Sequence, residues 1–157
     1  MKDYLKTELS RRFVLKGGSA SALVLAGMTL ASENALADAK LAAQAVKKVV
    51  GNKTSIQGKI KITAPQIADT GNSVPFSVAI DSPMTAGNHV KSVHIFSDGN
   101  PRPEVASFHF KPGSIAKVST RMRMSKTQNI IVVAELNNGE IYLNKAKVKV
   151  TIGGCGG

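Results

Sequence analysis

Two periodicities divide the chain. Residues 38–50, DAKLAAQAVKKVV, are strong helix formers and end at Gly51-Asn52, a natural C-terminal stop. Helical spacing places Leu41, Ala45, Val46, Val49 and Val50 on one face, with Lys40, Lys47 and Lys48 elsewhere. Beyond Gly51 the period drops to two. Ile56, Gly58, Ile60 and Ile62 alternate with Gln57, Lys59, Lys61 and Thr63, which predicts a strand over 56–64. Further strands are predicted over 74–81, 89–97, 104–110, 114–124, 129–136, 140–143 and 145–152. The turn signals between them are Asp69-Thr70-Gly71-Asn72, Ser97-Asp98-Gly99-Asn100-Pro101, Lys111-Pro112-Gly113 and Asn137-Asn138-Gly139. The last is the clearest hairpin signal, between 129–136 and 140–143.

Short strands spaced by about ten residues point to an all-β fold. The expected architecture is an immunoglobulin-like antiparallel β-sandwich preceded by one N-terminal helix. Phe76, Phe96, Phe108, Phe110, Ile130, Val132 and Ile141 are its expected core positions.

The N-terminal segment reads differently. Arg11-Arg12 and Lys16 precede an apolar run from Gly17 to Ala31, and Ala35-Leu36-Ala37 supplies small residues at a signal-peptidase site. The Arg pair resembles a twin-arginine export signal. The expectation is a signal peptide over 1–37, cleavage between Ala37 and Asp38, and a periplasmic protein. No cysteine follows that site, which excludes a lipoprotein anchor, and no stretch approaches the roughly 20 apolar residues of a spanning helix.

Composition then narrows the chemistry. The 157 residues carry 21 Lys/Arg against 10 Asp/Glu, a formal net charge of +11. Residues 1–37 hold five and three of these, so the remaining 120 residues keep +9. A basic chain invites a nucleic-acid reading, but Arg121 and Arg123 alternate with Met122 and Met124, and Lys145, Lys147 and Lys149 with Ala146, Val148 and Val150. That is the pattern of a sheet's solvated face, and there is no aromatic platform for bases. His89, His94 and His109 fall on predicted strands without a His or Cys at metal-ligand spacing, so no metal site is expected. No nucleophile-elbow, P-loop, zincin or dinucleotide motif occurs, and nothing pairs the carboxylates as acid and base. No catalytic residue and no cofactor are predicted.

The chemistry gathers in the last five residues, Gly153-Gly154-Cys155-Gly156-Gly157. Four of the 11 glycines after residue 37 lie here, around the chain's single cysteine. One cysteine forms no internal disulfide, and an exposed thiol in an oxidising compartment is a liability unless used. Glycine leaves the backbone free and the cross-section slim, so the segment suits a flexible arm that inserts a sulfur into a narrow cleft. No cation or base adjoins Cys155, and the C-terminal carboxylate disfavours its thiolate. A thiol near its ordinary pKa of about 8.5 suits a passive carrier activated inside its partner's site.

These residues resemble the SoxY family, sulfur-carrier subunits of the bacterial thiosulfate-oxidising Sox system. The likeness rests on the Gly-Gly-Cys-Gly-Gly terminus, on Gly99-Asn100-Pro101-Arg102-Pro103-Glu104, on Ser119-Thr120-Arg121-Met122-Arg123, and on Ala134-Glu135-Leu136 with Asn138-Gly139. The resemblance implies a heterodimer with a SoxZ-type β-sandwich subunit. It implies oxidative joining of thiosulfate to Cys155 by a c-type cytochrome, release of sulfate by a hydrolase, and action of a molybdenum–haem sulfane dehydrogenase on the remaining sulfur. Gly153, Gly154, Gly156 and Gly157 would form the arm. A rival class is the ubiquitin-like carrier that works through a C-terminal Gly-Gly thiocarboxylate, which needs no cysteine and no export signal.

Overall fold

The structure is a computed structural model and describes residues 33–152. The first element is a helix, α1, Glu33–Val50. It starts five residues before the sequence expectation, because Ala35, Leu36 and Ala37 are themselves strong helix formers and continue the same turn. Its buried stripe also differs by one position. Ala42 and Ala45 are buried and Val46, Val49 and Val50 half-buried, while Leu41 is 45% exposed. Small alanines let the helix backbone lie close to the sheet beneath.

Nine strands follow: β1 Ser55–Ile56, β2 Ile60–Thr63, β3 Ile67–Thr70, β4 Val74–Ile80, β5 Val90–Ser97, β6 Glu104–His109, β7 Lys117–Met122, β8 Gln128–Leu136 and β9 Ile141–Ile152. They form two sheets. The larger has the order β1-β9-β8-β5-β6, with β3 also on β9, and the smaller the order β2-β4-β7. The inner faces meet in one core. Val74, Phe76, Val78 and Ile80 from β4 pack with Val93 and Ile95 from β5, Ile130 and Val132 from β8, and Val148 from β9. A second apolar cluster lies on the large sheet's outer face, where Ala45 of α1 covers Phe96, Val133 and Ile141. Each fully buried side chain of this size contributes about 1.5–3 kcal/mol. The expected sandwich with a leading helix is therefore what the chain forms.

Several details depart from the pattern reading. The strand expected over 56–64 is two strands, because Gly58 and Lys59 take left-handed backbone angles (φ 106° and 53°) and break the pleat. The segments 140–143 and 145–152 are one twelve-residue strand; Asn144 does not interrupt it but donates from Nδ2 to the Ile60 carbonyl across the sandwich, 2.8 Å away. The strand expected from 114 starts at Lys117, after a positive φ at Gly113, and leaves Ile115 81% exposed. Phe108 and Phe110 are only half-buried, on and just past the edge strand β6. The pairings are antiparallel except for two, since β1 and β3 both run parallel to β9. The Asn137-Asn138-Gly139 hairpin forms as expected, with Gly139 at φ 86° and its N–H donating to the Leu136 carbonyl.

On the large sheet's outer face His94 stands between two serines, Nδ1 at 2.8 Å from Ser107 Oγ and Nε2 at 3.1 Å from Ser92 Oγ. The His109 ring lies edge-on, 6.2 Å between centroids. Desolvation first, then the charge of His109, lower the His94 pKa below 6.5, with Glu135 opposing. The folded state thus holds His94 neutral where the unfolded chain already binds a proton. Its contribution to stability is present above pH 6.5 and is lost as pH falls through that value toward the folded pKa. The urea midpoint should drop between pH 7.5 and 5.5, with a shallower slope in His94→Gln; equal slopes would assign the acid sensitivity to other groups.

Candidate functional site

Cys155, Gly153, Gly154, Gly156 and Gly157 lie outside the described residues, as do Arg11 and Arg12. What the structure does describe is the point from which the terminal five residues depart: the end of β9 at Ile152, whose side chain is 63% exposed.

That end is held on both edges. On one side β3 runs parallel to it, pairing Ile67 with Lys149, Ala68 with Val150 and Thr70 with Ile152. The Lys149 N–H donates to the Gln66 carbonyl at 2.9 Å, and the Gly71 N–H donates to the Ile152 carbonyl at 2.7 Å. On the other side β8 begins at Gln128, opposite Val148, and before it the side chain of Thr127 takes over: its Oγ1 accepts from the Val150 N–H at 3.0 Å. Gly71 is tied in turn, because its carbonyl accepts from the Met124 N–H at 2.8 Å. Backbone groups at a strand end are normally left to water. Here they are paired to the last described residue.

The loop that carries Met124 and Thr127 is itself fastened to the turn after β5. Asn100 donates from Nδ2 to the Arg123 carbonyl at 2.8 Å, while its Oδ1 accepts from the Ser125 N–H at 3.0 Å and from Gln128 Nε2 at 2.9 Å. Gln128 Oε1 accepts from the Gly99 N–H at 3.1 Å, and Ser125 Oγ donates to the Gly99 carbonyl at 2.6 Å. Asp98 accepts from both the N–H and Nδ2 of Asn129, at 2.7 and 2.6 Å. Gln128 is buried, so its two bonds, to the Gly99 N–H and to Asn100 Oδ1, satisfy a side-chain amide cut off from water. Position 99 also has to be glycine for space, since a Cβ there would lie 2.7 Å from the Gln128 Cβ.

Asp38, expected as the residue after a cleavage site and as the start of the helix, makes a contact the sequence does not signal. Its Oδ2 accepts from Lys126 Nζ at 2.7 Å, tying α1 to the same loop. Ala37 is within α1. The sequence signalled the turn at Asp98-Gly99-Asn100 but not what the turn holds. Neither β3 nor the roles of Gly71, Met124 and Thr127 had a signal: Asp69-Thr70-Gly71-Asn72 reads as a turn, and a four-residue parallel strand has no period of its own to detect.

The basic residues divide between faces. Lys145, Lys147 and Lys149 are exposed on the large sheet, and Arg121 and Arg123 are exposed at the end of β7 in the small one. Met122, Met124 and Val148 between them are buried, as the alternation requires. Among the described residues no group of three His, Cys, Asp or Glu side chains comes together. None of the described helices is long and apolar enough to cross a membrane.

Residues 46–155 match the family model described as sulfur oxidation protein SoxY, a span that takes in the whole sandwich and reaches Cys155. The chain belongs to the SoxY family. The structure of the sulfur carrier protein SoxY from Chlorobium limicola f thiosulfatophilum is similar throughout, with 36% identity over 73% of this chain and 99% of that one and a TM-score of 0.62. More distant likenesses show the sandwich fold alone. A superoxide reductase (neelaredoxin) from Ignicoccus hospitalis is 17% identical over 59% of this chain and 80% of its own, with a TM-score of 0.54. A putative superoxide reductase from Thermotoga maritima is 19% identical over 61% and 93%, also at 0.54. No curated protein sequence matches significantly.

Within this SoxY fold, the Asn100 network should be what keeps the end of β9 fixed. Gly99→Ala should push Gln128 aside and cost about 1–3 kcal/mol, the usual range for overpacking. Amide exchange of Gly71, Met124 and Val150 should accelerate more than that of Val132 in the core. Uniform acceleration across the domain would mean the network serves global stability only.

Proposed function

We propose that this chain is a covalent carrier of sulfur intermediates in thiosulfate oxidation, with Cys155 as the attachment point and Gly153, Gly154, Gly156 and Gly157 as a flexible arm. The observation that carries the reading is the SoxY family match through residue 155, together with 36% identity to a protein described as a sulfur carrier. The geometry supports it: Ile152, the last described residue, is tied by hydrogen bonds, and the next five positions of the sequence are four glycines around Cys155.

The chemistry balances without a cofactor on this chain. Joining the Cys155 thiol to thiosulfate forms an S–S bond, releases one proton and passes two electrons to an external acceptor, the role of a c-type cytochrome. Water then cleaves the bond between the sulfane and sulfone sulfurs, giving sulfate, two protons and a persulfide anion on Cys155, the role of a hydrolase. A sulfane dehydrogenase would oxidise the persulfide sulfur further. The chain's own part is to present the sulfur. A thiol of ordinary pKa is mostly protonated at neutral pH, so activation falls to the partner's site. The proposal puts these steps in the periplasm, on the reading of Arg11-Arg12 as a twin-arginine-type pair and Ala37/Asp38 as a cleavage site, and a SoxZ-type partner subunit would be a reason for exporting folded cargo.

Protein purified from cells grown on thiosulfate should show a sulfur-containing adduct by intact mass, mapped to Cys155. Cys155→Ser should abolish thiosulfate-dependent respiration while leaving the urea midpoint unchanged. An adduct on the Gly157 carboxylate would instead favour a thiocarboxylate carrier, and full activity of the serine variant would overturn the proposal.

A further inference from the structure

The outer face of the small sheet carries a shallow groove of about 540 Å³, lined by Thr63, Pro65, Pro75, Ser77, Ser119 and Arg121 among others. It exists because β2 stops early. Thr63 pairs with Ser77, and the chain then leaves through Ala64 and Pro65, so the start of β4 continues without β2 beside it. Pro75 sits in that uncovered stretch, paired only with Arg121 of β7, and brings no N–H that needs a partner there. The prolines make the walls apolar. Arg121 supplies the charge.

Arg121 is held near the root of the terminal segment, by Ser73. Its Nε donates to Ser73 Oγ at 2.7 Å and its Nη2 to the Ser73 carbonyl at 3.3 Å. Ser73 is two residues from Gly71, the residue that accepts Ile152 into the fold. Two residues span at most about 7 Å and three residues beyond Ile152 about 10 Å, so Cys155 is long enough to bring its sulfur to this guanidinium. The terminal segment also offers what the site lacks. An S-thiosulfonate on Cys155 would be an anion with three sulfonate oxygens. A planar guanidinium matches such an oxyanion by paired N–H donors. Lys61 and Lys117, exposed on the same face, add to the positive field.

We propose that this groove is a resting dock for the chain's own residues 153–157. The glycine backbone and sulfane sulfur would lie against Pro65 and Pro75, and the sulfonate would sit on Arg121. The proposal rests on Cys155 as the carrier site and adds a place where the loaded anion is held between encounters. Arg121 is then a ligand-binding residue, which the solvated-face reading of the sequence does not anticipate.

The full-length chain can be loaded without enzymes. Its thiolate displaces thiosulfate from tetrathionate: the new Cys155 S–S bond forms as a tetrathionate S–S bond breaks, and no further oxidant is required. In the ¹⁵N-labelled protein, loading confirmed by intact mass should shift the Arg121 Nε–H and the Ser73, Ser77 and Ser119 amides. Arg121→Gln should lose those shifts, whereas Lys117→Gln, one charge removed at the far end of β7, should keep them. In the unloaded protein the rate ratio for alkylation by iodoacetate over iodoacetamide should fall about threefold or more in Arg121→Gln and much less in Lys117→Gln at low salt. Shifts confined to 153–157, or an unchanged ratio in Arg121→Gln, would overturn the dock while leaving the carrier reading standing. Groove shifts that follow protein concentration and not loading would assign it to a second copy of the chain and overturn it equally.

Discussion

Strand β9 is the element on which the molecule depends. It is twelve residues long and paired on both edges, with β8 along one side and with β1 and β3 at the two ends of the other. Its inward residues, Tyr142 and Val148, belong to the sandwich core, and Ile141 belongs to the cluster under α1. It therefore joins both apolar layers. Most strands in a sandwich fray at their ends, because the last backbone groups have water for a partner. At Ile152 the carbonyl is instead taken by Gly71, and Gly71 by Met124, so rigidity extends to the last residue before the glycines. Whatever follows Ile152 therefore starts from a defined point.

The family resemblance of Gly99-Asn100 acquires a physical reason from the same argument. Asn100 uses its donor and its acceptor to hold three partners in the 123–128 loop, and Gly99 leaves room for Gln128 to close the ring. An amide side chain can do this and a carboxylate cannot, since the bond to the Arg123 carbonyl needs an N–H donor. The bonds run from the turn after β5, through Ser125 and Met124, to Gly71 and Ile152. Residues more than fifty positions from Cys155 thus set where its segment begins.

Sequence patterning recovered what has a period. The alternation in 74–81, 89–97 and 129–136 is that of β4, β5 and β8, whose alternate residues fill the core, and the Asn137-Asn138-Gly139 turn fixed their connection to β9. The pattern failed where local chemistry competes with tertiary contacts. Asn144 reads as a break but is bonded across the sandwich, and Leu41 reads as a core residue but loses that place to Ala42 because the helix packs close. The parallel strands β1 and β3 are too short to announce themselves and form only because β9 presents an edge. For the site, the glycines and Cys155 were legible as composition and as a family likeness. The clamp at the root was not, being made of backbone groups and one threonine hydroxyl.

A fixed root also limits how partners can approach. About 10 Å separates Ile152 from Cys155 at full extension, and the adduct adds only a few bond lengths. On the proposed role of Cys155, a reacting centre must therefore come close to the end of the sandwich where Gly71, Met124 and Thr127 meet, and a cleft deeper than that reach could not be served. In the proposed dock the same short tether would raise the local concentration of a sulfur carried on Cys155 near Arg121, because five residues span a small volume. Transfer to a partner then requires that partner to offer the anion more than one exposed guanidinium does. An exposed ion pair is weak, on the order of 1 kcal/mol or less, and weakens further with salt. A hold of that size would shelter the proposed adduct between encounters without trapping it, which is the balance a passive carrier needs.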